Sequence, residues 1–189
     1  IRAFARVKRE VPKAKLVILG EGNLKDRLQR LARELGVSND VHFLGFQRNP
    51  FKYVARSRVF VLSSLYEGFP NALAEAMACG IPVVSSDCPS GPREILAPGE
   101  FGENEISYKI DPDRYGVLVP VCDGVEYGRE PLIVGEKVMA DSIVRLLGDQ
   151  HLWGHFARQS LARIRVFDIE RSIVDWRDIV CGLAREDEE

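Results

Sequence analysis

No run of this 189-residue chain approaches the about 20 apolar residues that a helix needs to cross a bilayer, so nothing reads as a membrane span. An excess of charge is missing too: 26 Lys and Arg stand against 28 Asp and Glu, a formal net charge of −2. Nucleic-acid binders usually show a strongly basic domain, so nucleic acid is not an expected partner. Cysteine is sparse and scattered. Cys79, Cys88, Cys122 and Cys181 form no Cys-x-x-Cys and have no His pair nearby. They read as reduced cytosolic thiols rather than a secreted disulfide framework or a zinc site. The three histidines, His42, His151 and His155, are equally dispersed, and no metal site is expected. No signal-peptide pattern, internal repeat or low-complexity tract is read. The expected location is cytoplasmic, with peripheral attachment to the inner face of a membrane left open. Ile1 to Val7 reads as a helix already under way without an N-cap, so the chain is expected to be a fragment.

What is present is a globular composition, 46% hydrophobic and 29% charged, expected to form one continuous core. Four apolar runs rich in β-branched residues read as buried parallel strands: Lys15 to Leu19, Asp40 to Leu44, Val59 to Leu62 and Ile81 to Ser85. Each precedes a helical pattern. The first carries Leu24, Leu28, Leu31, Ala32 and Leu35 and stops at Gly36; Pro50 to Ala55, Asn71 to Cys79 and Pro92 to Leu96 supply the others. Residues 97 to 115 break the rhythm as a polar surface loop. Tyr115 to Val121 reads as a fifth strand, and helix dominates from Gly135. Its apolar faces are Val138, Ile143, Leu146 and Leu147, then Leu152, Phe156 and Leu161, then Ile173, Trp176 and Ile179, before an acidic tail. Strand alternating with helix at this spacing predicts right-handed crossovers and an α/β, Rossmann-like three-layer sandwich on a parallel sheet. Residues 1–165 are assigned to that domain and 166–189 to a C-terminal helix and tail.

Chemistry concentrates between residues 63 and 84. An apolar strand ends in a loop holding Glu67, and a helix opening at Asn71 carries Glu75. Open α/β sheets bind ligands at the carboxyl ends of their strands. Helix N-termini offer free N–H groups and partial positive charge to anions. The N–H groups of Asn71, Ala72 and Leu73 would therefore face a diphosphate. An ionised carboxylate has acceptors and no donor, which suits the paired hydroxyls of a ribose (Glu75) or of a sugar (Glu67). A blander account has Glu75 complementing the helix dipole and Glu67 closing a turn. Spacing alone does not choose between them. Gly68, Phe69 and Pro70 fit a close ligand approach and equally a tight turn.

Other signals are weaker. Gly20-Glu21-Gly22 follows the first strand, but a dinucleotide fingerprint needs Gly where Lys25 stands, and an acid where Gly45-Phe46 stand. A nicotinamide-dependent oxidoreductase is disfavoured for both reasons. Gly20 and Gly22 still permit close approach of a nucleotide, and Phe46 either flanks a base or sits in a core or rim. Ser90, Gly91 and Arg93 follow the fourth strand; a plain turn is the simpler reading there.

Taken together these residues resemble the C-terminal, donor-binding domain of retaining glycosyltransferases of family 4, which have the GT-B fold. The family's Glu-x7-Glu stands as Glu67 and Glu75, followed by Ala76-Met77-Ala78, Gly80 and Pro82-Val83-Val84. Leu16 to Gly22 and Val41 to Gly45 resemble its upstream strands. Asp87 to Glu94 is similar to a variant common in bacterial surface-polysaccharide enzymes. The resemblance implies that Glu67 contacts the donor sugar and Glu75 the ribose. It places the sugar and diphosphate at Gly68 to Leu73 and the base between the Gly20 and Phe46 loops. It implies a nucleotide-diphosphate sugar as substrate, UDP-linked by preference, with no cofactor or metal, and a glycan or lipid-linked acceptor held mainly by an N-terminal domain. The family's phosphate-neutralising Arg and Lys belong upstream of the first helix and have no match here. The chain alone is therefore expected to bind nucleotide weakly and not to turn over. A non-catalytic scaffold on the same fold is the alternative.

Overall fold

The computed structural model describes residues 1–100, 108–170, 173–174, 176–177 and 180–181. Five strands run parallel: β1 Leu16–Leu19, β2 Val41–Gly45, β3 Phe60–Leu62, β4 Val83–Ser86 and β5 Val117–Val119. They pair in the orders β1-β2 and β3-β4-β5, with no ladder between the two sets. The helices alternate with them as α1 Arg2–Glu10, α2 Lys25–Glu34, α3 Phe51–Val54, α4 Asn71–Ala78 and α5 Gly91–Leu96. Two longer helices follow, α6 Val134–Gly148 and α7 Gln150–Ile164. Asp149 separates them because its carboxylate takes the N–H groups of His151 and Leu152 as the α7 N-cap. Short 3-10 turns precede β2 and follow α7.

Alternation along the strands sorts side chains into two cores. Val84, Val117 and Val119 enter one with α1, α6 and Phe156; Val83 and Leu118 enter the other with Leu73, Met77, Ile95 and Leu96. Adjacent residues of one strand thus face opposite helical layers, as the two-residue strand period requires. Each fully buried Leu, Ile, Val, Met or Phe contributes about 1.5–3 kcal/mol.

The expectation of uniformly buried strands is corrected here. β4 and β5 are buried throughout, whereas β1, β2 and β3 are largely half-buried, and Val17 is 44% exposed. The expected faces on the last helices also need revision. Leu146 and Phe156 are fully buried and Val138, Ile143, Leu147 and Leu152 pack beside them, but Leu161 is 45% exposed, lying over Gly80. Ile173 and Trp176 are exposed, and Ile179 lies outside the described residues. Much of the 97–115 loop, residues 101–107, also lies outside them.

Candidate functional site

Leaving β3, the chain bends and lays residues 67–70 against the turn that opens α5. Glu67 N–H donates to Pro89 O at 3.0 Å, and Ser90 N–H donates to Glu67 O at 2.8 Å. The approach is so close that a Cβ on Gly91 would collide with Gly68 O and sit 2.6 Å from Pro70 Cδ. Gly91 is therefore explained by packing. The Glu67 carboxylate is half-buried and accepts from Ser64 Oγ at 2.7 Å through Oε1. Ser64 is itself tied down, because Ser86 Oγ donates to Ser64 O at 2.5 Å.

Eight residues on, Glu75 stands in contrast. It is exposed, and its carboxylate makes no hydrogen bond or ion pair among the described residues. One turn further, burial pushes the Cys79 thiol up, and the Glu75 charge adds to that. Between the two acids in sequence lies the N-terminus of α4. Pro70 occupies its N-cap position without a side-chain cap. Leu73 N–H and Ala74 N–H return to Pro70 O at 2.9 and 3.2 Å. The open amides are those of Asn71 and Ala72, both exposed, and the expectation of three is corrected to two. Leu73 is fully buried and Pro70 is buried as well. Gly68 and Phe69 are exposed, and Phe69 meets Phe167 edge-on, with ring centroids 5.3 Å apart.

A second pair of loops forms at the ends of β1 and β2. Gly20 N–H donates to Gly45 O at 2.9 Å, and both glycines have positive φ, 112° and 67°. A side chain at either would be strained. Gly22 stands in the turn that leads into α2, and Phe46 is 70% exposed, so it is not a core aromatic. Among the described residues, no hydrogen bond or ion pair joins these loops to the Glu67 loop. The structure thus sets Glu67, Gly68, Phe69, Pro70, Asn71 and Ala72 along the loop and first turn of α4, with Glu75 one turn further along that helix, and Gly20, Gly22 and Phe46 on the loops that follow β1 and β2.

Sequence reading missed Ser64, Ser86 and Asp87. Asp87 directly follows β4 with its side chain 1% exposed and holds Arg93 in two bonds, Nε to Oδ1 at 2.9 Å and Nη2 to Oδ2 at 2.5 Å. Tyr108 Oη reaches the same carboxylate at 3.4 Å. Arg93 is thereby committed to Asp87, whose hydrogen bonds raise its pKa further. The hydroxyl three residues before Glu67 was a readable signal, since Ser side chains bond locally in turns. Among the described residues, no three His, Cys, Asp or Glu side chains cluster as metal ligands. None of the helices described there is long and apolar enough to cross a membrane.

This fold, with two acids around an uncapped helix at its strand ends, defines a class: a Rossmann-like α/β domain matching the C-terminal half of GT-B glycosyltransferases. The family model described as "Glycosyl transferases group 1" matches residues 1–112, more than half of the 189. The chain belongs to that family. It is 42% identical over 189 residues to an uncharacterized glycosyltransferase of Methanocaldococcus jannaschii, covering 96% of this chain and 45% of the relative. A lipopolysaccharide 1,6-galactosyltransferase of Salmonella typhimurium is 39% identical over 124 residues, covering 64% of this chain and 34% of the relative. The chain thus spans under half the length of these relatives. Among solved structures, the pneumococcal O-GlcNAc transferase GtfA, in complex with UDP and GlcNAc, superposes with a TM-score of 0.74 at 18% identity. That match covers 97% of this chain and 32% of GtfA, and it shows the fold alone.

Proposed function

We propose that this chain is the donor-binding half of a retaining glycosyltransferase, its residues 1–165 forming the nucleotide-sugar domain. It takes a hexosyl group from a nucleotide-diphosphate sugar, UDP-linked by preference, for a glycan or lipid-linked acceptor in surface-polysaccharide assembly. The observation that carries this reading is the contrast between two carboxylates flanking one helix N-terminus: Glu67 pinned, Glu75 without a partner, and the Asn71 and Ala72 amides open. A free carboxylate suits a ribose diol, and the uncapped amides suit a diphosphate. Glu67 then faces the sugar, and Gly20, Gly22 and Phe46 frame the base. Gly68 supports this, for a Cβ there would meet nothing within 4 Å and its φ is not positive. Its bare backbone leaves room for a ligand. The reading requires no resident metal, since cationic side chains can neutralise the departing diphosphate. Acceptor recognition and any attachment to the cytoplasmic face of a membrane belong to parts of the protein beyond this chain.

The test is calorimetric titration of UDP, GDP and NAD into this chain with a chelator present. UDP or GDP binds without metal, and Glu75→Ala weakens it about ten- to hundredfold, the worth of hydrogen bonds to a charged group. A preference for NAD would revive the dinucleotide reading. Silence even in a chain extended to the length of its relatives would leave a non-catalytic module.

A further inference from the structure

We propose that Ser64 is a positioning residue for Glu67, fixing one carboxylate oxygen so that the other is presented to the donor sugar. This rests on the reading of Glu67 as the sugar-facing acid. Ser64 Oγ donates to Glu67 Oε1 at 2.7 Å, and no described protein group bonds Oε2. A glutamate in a loop has three side-chain torsions to settle, and a single hydrogen bond near its tip removes most of that freedom. The restraint is transmitted from the buried sheet. Ser86, 2% exposed at the end of β4, donates across to Ser64 O at 2.5 Å. The Glu67 main chain is meanwhile fastened on both sides to Pro89 and Ser90. Ser86 therefore holds Ser64, Ser64 aims the carboxylate, and the 89–90 segment fixes its backbone. Glu75 has no such chain of supports, which matches a group that closes on a flexible ribose rather than one placed beside a reacting carbon.

Positions held within a fraction of an ångström matter more to turnover than to ground-state affinity. The effect of Ser64 should therefore appear in kcat and not in nucleotide binding. The experiment uses the full-length protein with a panel of UDP-glucose, UDP-galactose and UDP-N-acetylglucosamine, following UDP release to water or acceptor. Ser64→Ala, Ser64→Thr, Glu67→Ala and the Ser64→Ala/Glu67→Ala double variant are compared, with UDP affinity measured for each. The expected result is a drop in kcat of about tenfold or more for Ser64→Ala, with UDP affinity within about twofold of the parent. Ser64→Thr restores most of the rate because it keeps the hydroxyl. The double variant is no slower than Glu67→Ala, because Ser64 acts through Glu67. Retained UDP binding also shows that each variant is folded.

If Glu67→Ala is slow but Ser64→Ala is not, the positioning role is overturned and the donor reading stands. If the double variant is slower by the product of the two single effects, Ser64 acts independently and the proposal is again overturned. If Glu67→Ala is as fast as the parent, or the parent releases UDP from no donor, the reading of Glu67 falls and the role of Ser64 falls with it.

Discussion

The two parts of the sheet look alike as sequence and behave differently as structure. β1 and β2 are Leu16–Leu19 and Val41–Gly45, apolar and paired in parallel, yet mostly half-buried. Val17 and His42 are exposed on the face opposite the α1 and α6 core. β4 and β5, Val83–Ser86 and Val117–Val119, are buried at every position. Parallel strands become continuous apolar runs when helices cover both faces. Here α1 and α6 cover one face of the second set and α4 and α5 the other, while the first set keeps one face open. The β3-β4-β5 set carries Glu67 after half-buried β3, α4, and the Ser86 anchor at the end of buried β4; the β1-β2 pair carries Gly20, Gly22 and Phe46. The hydrogen-bonded acid of the candidate site is thus tied to the buried end of β4.

The contrast can be broken at several places. Leu118→Ala, in a side chain with no exposure, should cost about 2–5 kcal/mol in urea unfolding, by lost transfer energy and the cavity left behind. A loss below about 1 kcal/mol would mean that the second half is not the stable one. Gly91→Ala should cost about 1–3 kcal/mol, because the new methyl collides with Gly68 and Pro70 where residues 67–70 meet α5. Its UDP affinity should fall with that displacement, measured by the same calorimetry.

A pH scan probes the half-exposed pair. Asp40, at the start of β2, is bonded by Lys15 Nζ at 2.5 Å and Lys8 Nζ at 2.9 Å. Those bonds hold its carboxyl below the ordinary range, Lys15 first. A depressed folded pKa means that its stabilisation is complete above the unfolded value of about 3.9 and lost as pH falls through the folded one. Asp40→Asn should therefore lower stability at neutral pH, leave it little changed at pH below the folded value, and so flatten the acid side of the thermal-stability profile. The smallest expected effect is Val17→Ala. At 44% exposure it should cost within about 0.5–1 kcal/mol, and a loss matching Leu118→Ala would erase the difference between the halves.

Much of this was readable in the chain. The strand runs, the α4 segment, the Gly36 stop and the two acids eight residues apart follow from apolar period, β-branching and glycine placement. Helix signals were clear because α2 and α6 hold their apolar spacing over ten residues or more. Strand burial was not legible, since an apolar run shows that a residue can be buried and not how many layers cover it. Leu161, Ile173 and Trp176 failed for the same reason: they keep helical spacing, yet Leu161 is covered only in part, over Gly80, and Ile173 and Trp176 stay exposed. In the candidate site, Glu67 and Glu75 could be named but not told apart. Their difference comes from Ser64, three residues from one acid, and from Ser86, 22 residues beyond Ser64. Arg93, placed by sequence in a plain turn, is held by Asp87, six residues before it.

The sequence by itself determined the α/β alternation, the placement of both acids around a helix start and the glycines that turn the chain at strand ends. These are local properties: side-chain period, backbone freedom and distance along one chain decide them. Only the tertiary structure decided which strands are enclosed, which carboxylate is pinned and which is left free. Those outcomes depend on hydrogen bonds and packing between segments that sequence order keeps apart and that only folding brings within contact.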